Sequence, residues 1–271
     1  MDYTREIEVA KSAAMEAGDY ALVNIAAESR AKACDNSIVT DIDVNAQKMI
    51  IDALKAVFPD YGIIGEEPDD GSGQMLLKIP PTGKENIWWV IDPIDGTRNF
   101  AFGLPYFAVS IGLLVDGMPA AGVIYYPDRK EMYWSTGAKA YCNDIELTVK
   151  DELIHRNSQI CVSGLLHEYW TPEQVEAVFN NCVHANLGTA ALHMAYLTSG
   201  QYAAGVFLRT KLWDVAGGAA MLEAAGGVLT DFTGKALFPI DCGNYTGTVV
   251  QCLLGNKKIV AQIAALVKYS K

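Results

Sequence analysis

The chain is predicted to be an α+β protein made of two unlike halves, and three observations carry that expectation. Apolar residues in the opening segments recur at three- and four-residue steps, the period of amphipathic helices. A middle stretch rich in Val, Ile, Tyr and Trp runs in short apolar segments separated by turn residues, the pattern of an antiparallel meander. Beyond Leu147 short apolar runs and helical patterns take turns, as in α/β folds. The change places a boundary within residues 143–158, dividing the chain into an N-terminal half, 1–146, and a C-terminal half, 147–271.

Ile7, Ala10, Ala14, Ala17, Ala21 and Ile25 predict a long first helix over residues 4–30, its small alanines allowing close packing. An irregular polar stretch, 31–37, precedes a second helix marked by Val44, Gln47, Ile50, Ile51, Leu54 and Phe58. Asp41 or Asp43 stands near its cap, and Pro59 ends it. Gly62-Ile63-Ile64-Gly65 reads as a short buried strand that delivers Glu66-Glu67. Residues 68–87 form a loop with one short element near the expected cleft. Trp88-Trp89-Val90-Ile91 is a strand, and Pro93 should take the chain out of the sheet near Asp92. Residues 106–115 and 118–126 form a hairpin about Asp116-Gly117, followed by strands at 131–135 and 138–142. In the second half, strands are expected at 159–163, 202–208, 228–231 and 248–254. Helices are expected at 171–179, where Thr171 caps and Pro172 follows, from Ala190 to near Gly200, from Trp213 to Gly226, and at 257–267.

At 271 residues, with 51% hydrophobic and 20% charged residues, the chain has the material for a substantial core and not the composition of a disordered protein. Its formal net charge of -11 argues against nucleic acid or an anionic membrane as its main partner. An acidic protein that handles an anionic substrate needs cations at the site. Six cysteines, Cys34, Cys142, Cys161, Cys182, Cys242 and Cys252, include no CxxC pair, so reduced thiols are expected. The N-terminus opens straight into a helical pattern and no apolar run reaches membrane-spanning length, which points to the cytoplasm.

The chemistry concentrates in Asp92-Pro93-Ile94-Asp95-Gly96-Thr97. Two carboxylates this close raise one another's pKa unless a cation sits between them. Gly96-Thr97 offers unhindered backbone N–H groups suited to an anion. Glu66 and Asp214 resemble Asp92 and Asp95 in following apolar runs, where solvated surface acids are not expected. Hard oxygen donors of this kind suit Mg2+ or Mn2+, with a phosphate completing the shell. His155, His167, His184 and His193 have no metal-ligand spacing and read as structural or surface residues. Gly217-Gly218 and Gly226-Gly227 lack the Gly-x-Gly-x-x-Gly pattern and read as close-packing positions.

Gly65-Glu66-Glu67, Trp89-Val90-Ile91-Asp92-Pro93-Ile94-Asp95-Gly96-Thr97 and Trp213-Asp214-Val215-Ala216-Gly217-Gly218 resemble the signatures of the inositol monophosphatase family, magnesium-dependent and often lithium-sensitive phosphomonoesterases. Lys32 with Val39-Thr40-Asp41-Ile42-Asp43 resembles the family's metal-binding loop, and Gly188-Thr189-Ala190 its substrate loop. The resemblance implies a layered α/β/α/β/α sandwich with the site in the cleft between the halves. It implies a homodimer acting on a small phosphorylated metabolite, with two to three Mg2+ ions, Mn2+ as a substitute and Li+ as an inhibitor. Glu66, Asp92 and the Ile94 carbonyl would hold the first metal, and Asp92, Asp95 and Asp214 the second. Thr97, oriented by Asp43, would position the attacking water, while the Gly96 and Thr97 amides cradle the phosphate. Glu66, Thr97 and Asp43 are thus the expected catalytic residues. Asp95, Gly96, Thr97, Gly188, Thr189, Ala190, Phe207 and Arg209 are the expected phosphate and substrate contacts.

The chain departs from the family pattern in two places. Where inositol-processing members carry a glutamate that meets the sugar hydroxyls, it has Phe207, and a phenyl ring accepts no such bond. Arg209 and Lys211 could instead meet a second anionic group. The loop at 68–87 is also longer than the family's usual spacing. Fructose 1,6-bisphosphate, histidinol phosphate and nucleotide 3′-phosphates therefore stand beside inositol phosphate as expected substrates. A non-catalytic phosphometabolite-binding module is the reading from outside the class.

Overall fold

The computed structural model describes residues 2–26, 29–31, 38–68, 75–180 and 182–269. Lys32 and Cys34 lie outside them. The first half begins with α1 (Thr4–Val23), β1 (Ser29–Ala31), β2 (Ile38–Thr40) and α2 (Asp41–Val57), then β3 (Gly62–Gly65), β4 (Leu77–Ile79) and β5 (Ile87–Asp95). A one-turn α3 (Thr97–Ala101) leads to β6 (Ala108–Val115), β7 (Met118–Tyr126), β8 (Glu131–Ser135), β9 (Ala140–Cys142) and β10 (Ile145–Glu146). The second half runs β11 (Gln159–Ser163), α4 (Leu166–Tyr169), α5 (Pro172–Phe179), β12 (Val183–Ala185) and α6 (Ala190–Thr198). It closes with β13 (Ala204–Thr210), α7 (Leu212–Ala224), β14 (Val228–Thr230), β15 (Val250–Gly255) and α8 (Lys257–Tyr269).

Two main sheets organise these elements, and β1 pairs antiparallel with β2 in a third, two-stranded sheet. The larger has the strand order β10-β9-β8-β7-β6-β5-β3-β4 and is antiparallel except where β3 runs parallel to β5. The smaller has the order β12-β11-β13-β15-β14, with β11 parallel to both neighbours. Alternation along the strands assigns the layers. In β5, Trp89 and Ile91 join the core under α1 and α2, whereas Trp88 and Val90 join the core that holds α6 and α7. In β11, Cys161 belongs to that same central core, while Ile160 and Val162 pack with α5 and α8. The order of layers is therefore α1/α2, large sheet, α6/α7, small sheet, α5/α8, the expected α/β/α/β/α sandwich.

Close approach in the central layer comes from glycine. A Cβ added at Gly122 of β7 would lie 2.1 Å from the carbonyl oxygen of Gly217, so α7 rests directly on the large sheet. Gly217 and Gly218 are packing positions inside α7, as the sequence suggests.

The structure corrects several boundaries. The first helix ends at Val23, short of Arg30, because Asn24 caps it and the Ala26 N–H turns away to the Phe100 carbonyl at 3.1 Å. Pro93 does not end the strand. β5 stays paired to β6 as far as Asp95, with the register slipping between Asp92 and Asp95, and that irregularity absorbs the proline's missing N–H. The sequence reading also omits β10, α4 and β12, all of four residues or fewer. The five cysteines among the described residues are free thiols. Among the described residues no helix is long and apolar enough to cross a membrane.

Candidate functional site

Two carboxylates of β5 and a third from the distant α7 meet where the two sheets face α6 and α7. Asp92, Asp95 and Asp214 each offer an oxygen, and these oxygens all lie within 4.8 Å of one another. Asp92 stands before the irregularity in β5, and its Oδ1 accepts the Ile94 N–H at 3.1 Å, so its own backbone fixes the side chain. Asp95 ends the strand. Its Oδ2 accepts the Thr189 hydroxyl at 2.5 Å and the Ala191 N–H at 2.5 Å, both at the start of α6. Asp214 lies in the first turn of α7, where its Oδ2 accepts the Lys211 N–H at 2.7 Å. In each case one part of the carboxylate is tied to backbone or hydroxyl donors while another part faces its fellow acids.

The arrangement is unfavourable for three anions. Burial, then the charges of Glu66, Asp95 and Asp214, holds Asp92 well above the ordinary carboxylate range. Burial lifts Asp95 to about 7, against the lowering effect of the Thr189 and Ala191 bonds. Burial, with Asp95 and Glu66 next, also raises Asp214. None of the three is ion-paired to a Lys or Arg among the described residues. A hard dication fits this donor set: converging oxygens, no paired side-chain cation among the described residues, and mutual repulsion that a positive charge would relieve.

The other expected residues fall around this cluster in different ways. Glu66 follows β3, its N–H held by the Ile91 carbonyl at 3.1 Å, and its carboxylate is hydrogen-bonded to Asp92. It is not one of the three acids that meet within 4.8 Å. Gly96 adopts a left-handed φ of 100° as the cap of α3, which a side chain would strain. The Thr97 hydroxyl donates to the Ile94 carbonyl at 3.0 Å, so that carbonyl, an expected metal donor, already accepts one bond. Thr189 caps α6, and its Oγ1 accepts the Leu192 N–H at 3.2 Å. Gly188 immediately precedes this turn, and its N–H goes to Asn186 Oδ1 at 2.8 Å.

Asp43 caps α2: its Oδ2 accepts the Thr40 N–H at 2.8 Å and the Thr40 hydroxyl at 2.5 Å, completing a capping box. One expectation changes. Phe207 has no exposed surface. It sits on the inner face of β13 in the central core, with its ring 6.0 Å from that of His193, so it is a packing residue and not a substrate contact. Arg209, within the register shift of β13, is exposed and forms no ion pair with the described residues.

Residues that the sequence reading gives no part in the site hold it together. Asn99 Nδ2 donates to the carbonyls of Tyr106 and Leu187, both at 2.7 Å, joining α3 to the loop before α6. His193, buried and kept neutral by that burial, accepts the Leu187 N–H at 2.8 Å through Nε2. The Tyr245 hydroxyl accepts the Leu212 N–H at 2.9 Å, which anchors the first turn of α7 beside Asp214. No sequence period marks these residues, because each acts through one tertiary hydrogen bond.

Comparison with known proteins gives one answer. A model of the inositol monophosphatase family matches residues 2–270. Inositol monophosphatase 1 of Sus scrofa is 35% identical over 215 residues, covering 75% of this chain and 74% of its own. The Nus factor SuhB of Escherichia coli K12 is 31% identical over 272 residues, covering 96% of this chain and 94% of its own. The crystal structure of the extragenic suppressor protein suhB from Bartonella henselae superposes with a TM-score of 0.84 at 27% identity, covering 98% of this chain and 99% of that one. The cluster of buried Asp92 and Asp95 with half-buried Asp214, the five-layer fold and the match along nearly the whole chain agree: this protein belongs to the inositol monophosphatase family.

Proposed function

We propose that the protein is a Mg2+-dependent phosphomonoesterase that hydrolyses a small phosphorylated metabolite of the inositol phosphate type. The observation that carries this reading is the convergence of Asp92, Asp95 and Asp214, with no side-chain cation paired to them among the described residues. With Glu66 and the Ile94 carbonyl, these acids would hold two to three Mg2+ ions, and Mn2+ would suit the same oxygens. Bound ions supply the positive charge that a phosphoryl group needs and make water more acidic.

The chain's own groups do the rest. Asp95, braced by Thr189 and Ala191, keeps the two halves in register about the substrate. The Gly96 and Thr97 backbone amides hold phosphate oxygens, and the Thr97 hydroxyl positions the attacking water. Water adds to phosphorus as the ester P–O bond breaks; its proton is passed on, and the leaving alkoxide departs as the alcohol. Gly188, Thr189 and Ala190 line the alcohol side, with Arg209 near its rim. Li+ inhibition, a homodimer and a cytoplasmic location complete the proposal.

The name Nus factor carried by the E. coli relative raises a second reading, a module that binds a phosphometabolite without turning it over. The retention of Glu66, Asp92, Asp95, Thr97 and Asp214 favours turnover. Phosphate release from inositol phosphates, fructose 1,6-bisphosphate, histidinol phosphate and a nucleotide 3′-phosphate, with Mg2+ and with Mg2+ plus Li+, separates the readings. Selective release from an inositol phosphate supports the proposal. Preference for the bisphosphate moves the substrate assignment, and no release from any ester favours the binding module.

A further inference from the structure

The stripe of α2 that faces the large sheet contains Ala46, Ile50 and Leu54, and among them a buried amide, Gln47. Burying an amide among apolar neighbours is costly unless its donor and acceptor are both bonded. Here the two backbone groups of one residue satisfy both. Gln47 Nε2 donates to the Glu67 carbonyl at 2.6 Å, and the Glu67 N–H donates to Gln47 Oε1 at 2.9 Å.

This pairing replaces a strand that is missing. β3 runs alongside β5 as far as Gly65 opposite Ile91, and the Glu66 N–H adds one more bond to the Ile91 carbonyl. Because successive residues of a strand turn their backbone groups to opposite neighbours, Glu67 faces the β4 side, where the pairing of β3 ends with Gly65 opposite Leu77. A side-chain amide is the group that presents a donor and an acceptor as a peptide does. The fit is close, since a Cβ at Gly65 would lie 2.5 Å from Gln47 Oε1. Glu66 is thereby bracketed, by β5 through its own N–H and by Gln47 through the next residue.

We propose that Gln47 is a positioning residue for Glu66: its two bonds to Glu67 hold the Glu66 carboxylate at the metal site. The inference rests on the reading of Glu66 as a metal-binding carboxylate. Gln47→Met keeps the size of the side chain and removes both bonds. Gln47→Glu keeps only the acceptor for the Glu67 N–H.

The test measures Mg2+ binding by titration calorimetry, and hydrogen exchange at the Glu67 amide in the metal-free protein. Gln47→Met is expected to weaken Mg2+ binding about 10–100-fold, as loss of an outer partner of a metal ligand does, with Gln47→Glu in between. In a Glu66→Gln background the same change should add no more than about twofold, because the two residues act in series. The Glu67 amide should exchange at least tenfold faster in Gln47→Met. Mg2+ affinity within twofold of wild type, or a full extra loss in the Glu66→Gln background, overturns the inference. If the wild-type protein binds no Mg2+, the metal reading fails, and unchanged exchange at Glu67 is then the separate result that overturns the role of Gln47.

Discussion

The Asp95 carboxylate and the Thr189 hydroxyl, 94 positions apart in the chain, meet at 2.5 Å. Through this bond the last residue of β5 caps α6, and a strand of the large sheet becomes attached to the helical layer beneath the small one. The same Thr189 oxygen accepts the Leu192 N–H, so one side chain both closes a helix end and holds a candidate ligand.

Thr189→Val removes both interactions at nearly constant volume. A helix cap is worth about 1 kcal/mol, and a buried carboxylate that loses a donor adds to that, so a destabilisation of about 1–3 kcal/mol is expected. Thr189→Ser should restore most of it. Urea unfolding of the metal-free variants checks this, and a Thr189→Val midpoint equal to wild type would contradict it.

Stability without metal should fall as pH rises. Asp95 has an ordinary value of 3.8 and is raised to about 7 in the fold, and Asp92 and Asp214 are raised as well. Between those values the folded state binds more protons than the unfolded one, so the slope of stability against pH is negative there. Mg2+ competes with those protons, and its stabilising effect should grow from pH 5 to pH 8. Thermal unfolding at fixed ionic strength, with and without Mg2+, measures both trends. A Mg2+ effect that shrinks as pH rises would show that these carboxylates do not bind the ion.

The contact of α7 with the large sheet leaves no room at Gly122. Gly122→Ala puts a methyl against the Gly217 carbonyl, a backbone atom that cannot rotate away. Overpacking of this kind costs about 1–3 kcal/mol, and the rigid neighbour places this case at the upper end. Chemical denaturation of the variant gives the value directly.

Placing the family's glutamate at position 207 should not create an inositol contact. Phe207 is fully buried between His193 and the strands of the small sheet, so Phe207→Glu buries an unpaired carboxylate. The expected result is poorly folded protein with no gain on inositol phosphates. Arg209→Ala, at an exposed position, should leave the fold intact. It should raise KM only for substrates with a second phosphate, if such substrates are used at all.

The sequence shows the layers and the acids because both depend on local pattern. Alternation of Trp88 and Trp89 assigns the two faces of β5. Asp92, Asp95 and Asp214 stand out because each interrupts an apolar context. What stays hidden depends on single tertiary bonds or on which way a strand faces. Asp43 stands out as a site residue, and only the fold adds that it also caps α2 through Thr40, three positions away. Phe207 aligns with a substrate contact yet points into the core, because strand direction depends on the small sheet's register. Gln47 reads as one more position on a helix face, and only the fold reveals that it faces Glu67.

The central claim is that Asp92, Asp95 and Asp214 hold the metal that hydrolyses a phosphate ester. Phosphate release by the wild-type protein and by Asp92→Asn, with and without Mg2+ across the four ester classes, tests it most directly. The account predicts Mg2+-dependent release by the wild type, a loss of about 100-fold or more in Asp92→Asn, and an unchanged fold by circular dichroism. Release by Asp92→Asn near the wild-type rate would contradict it.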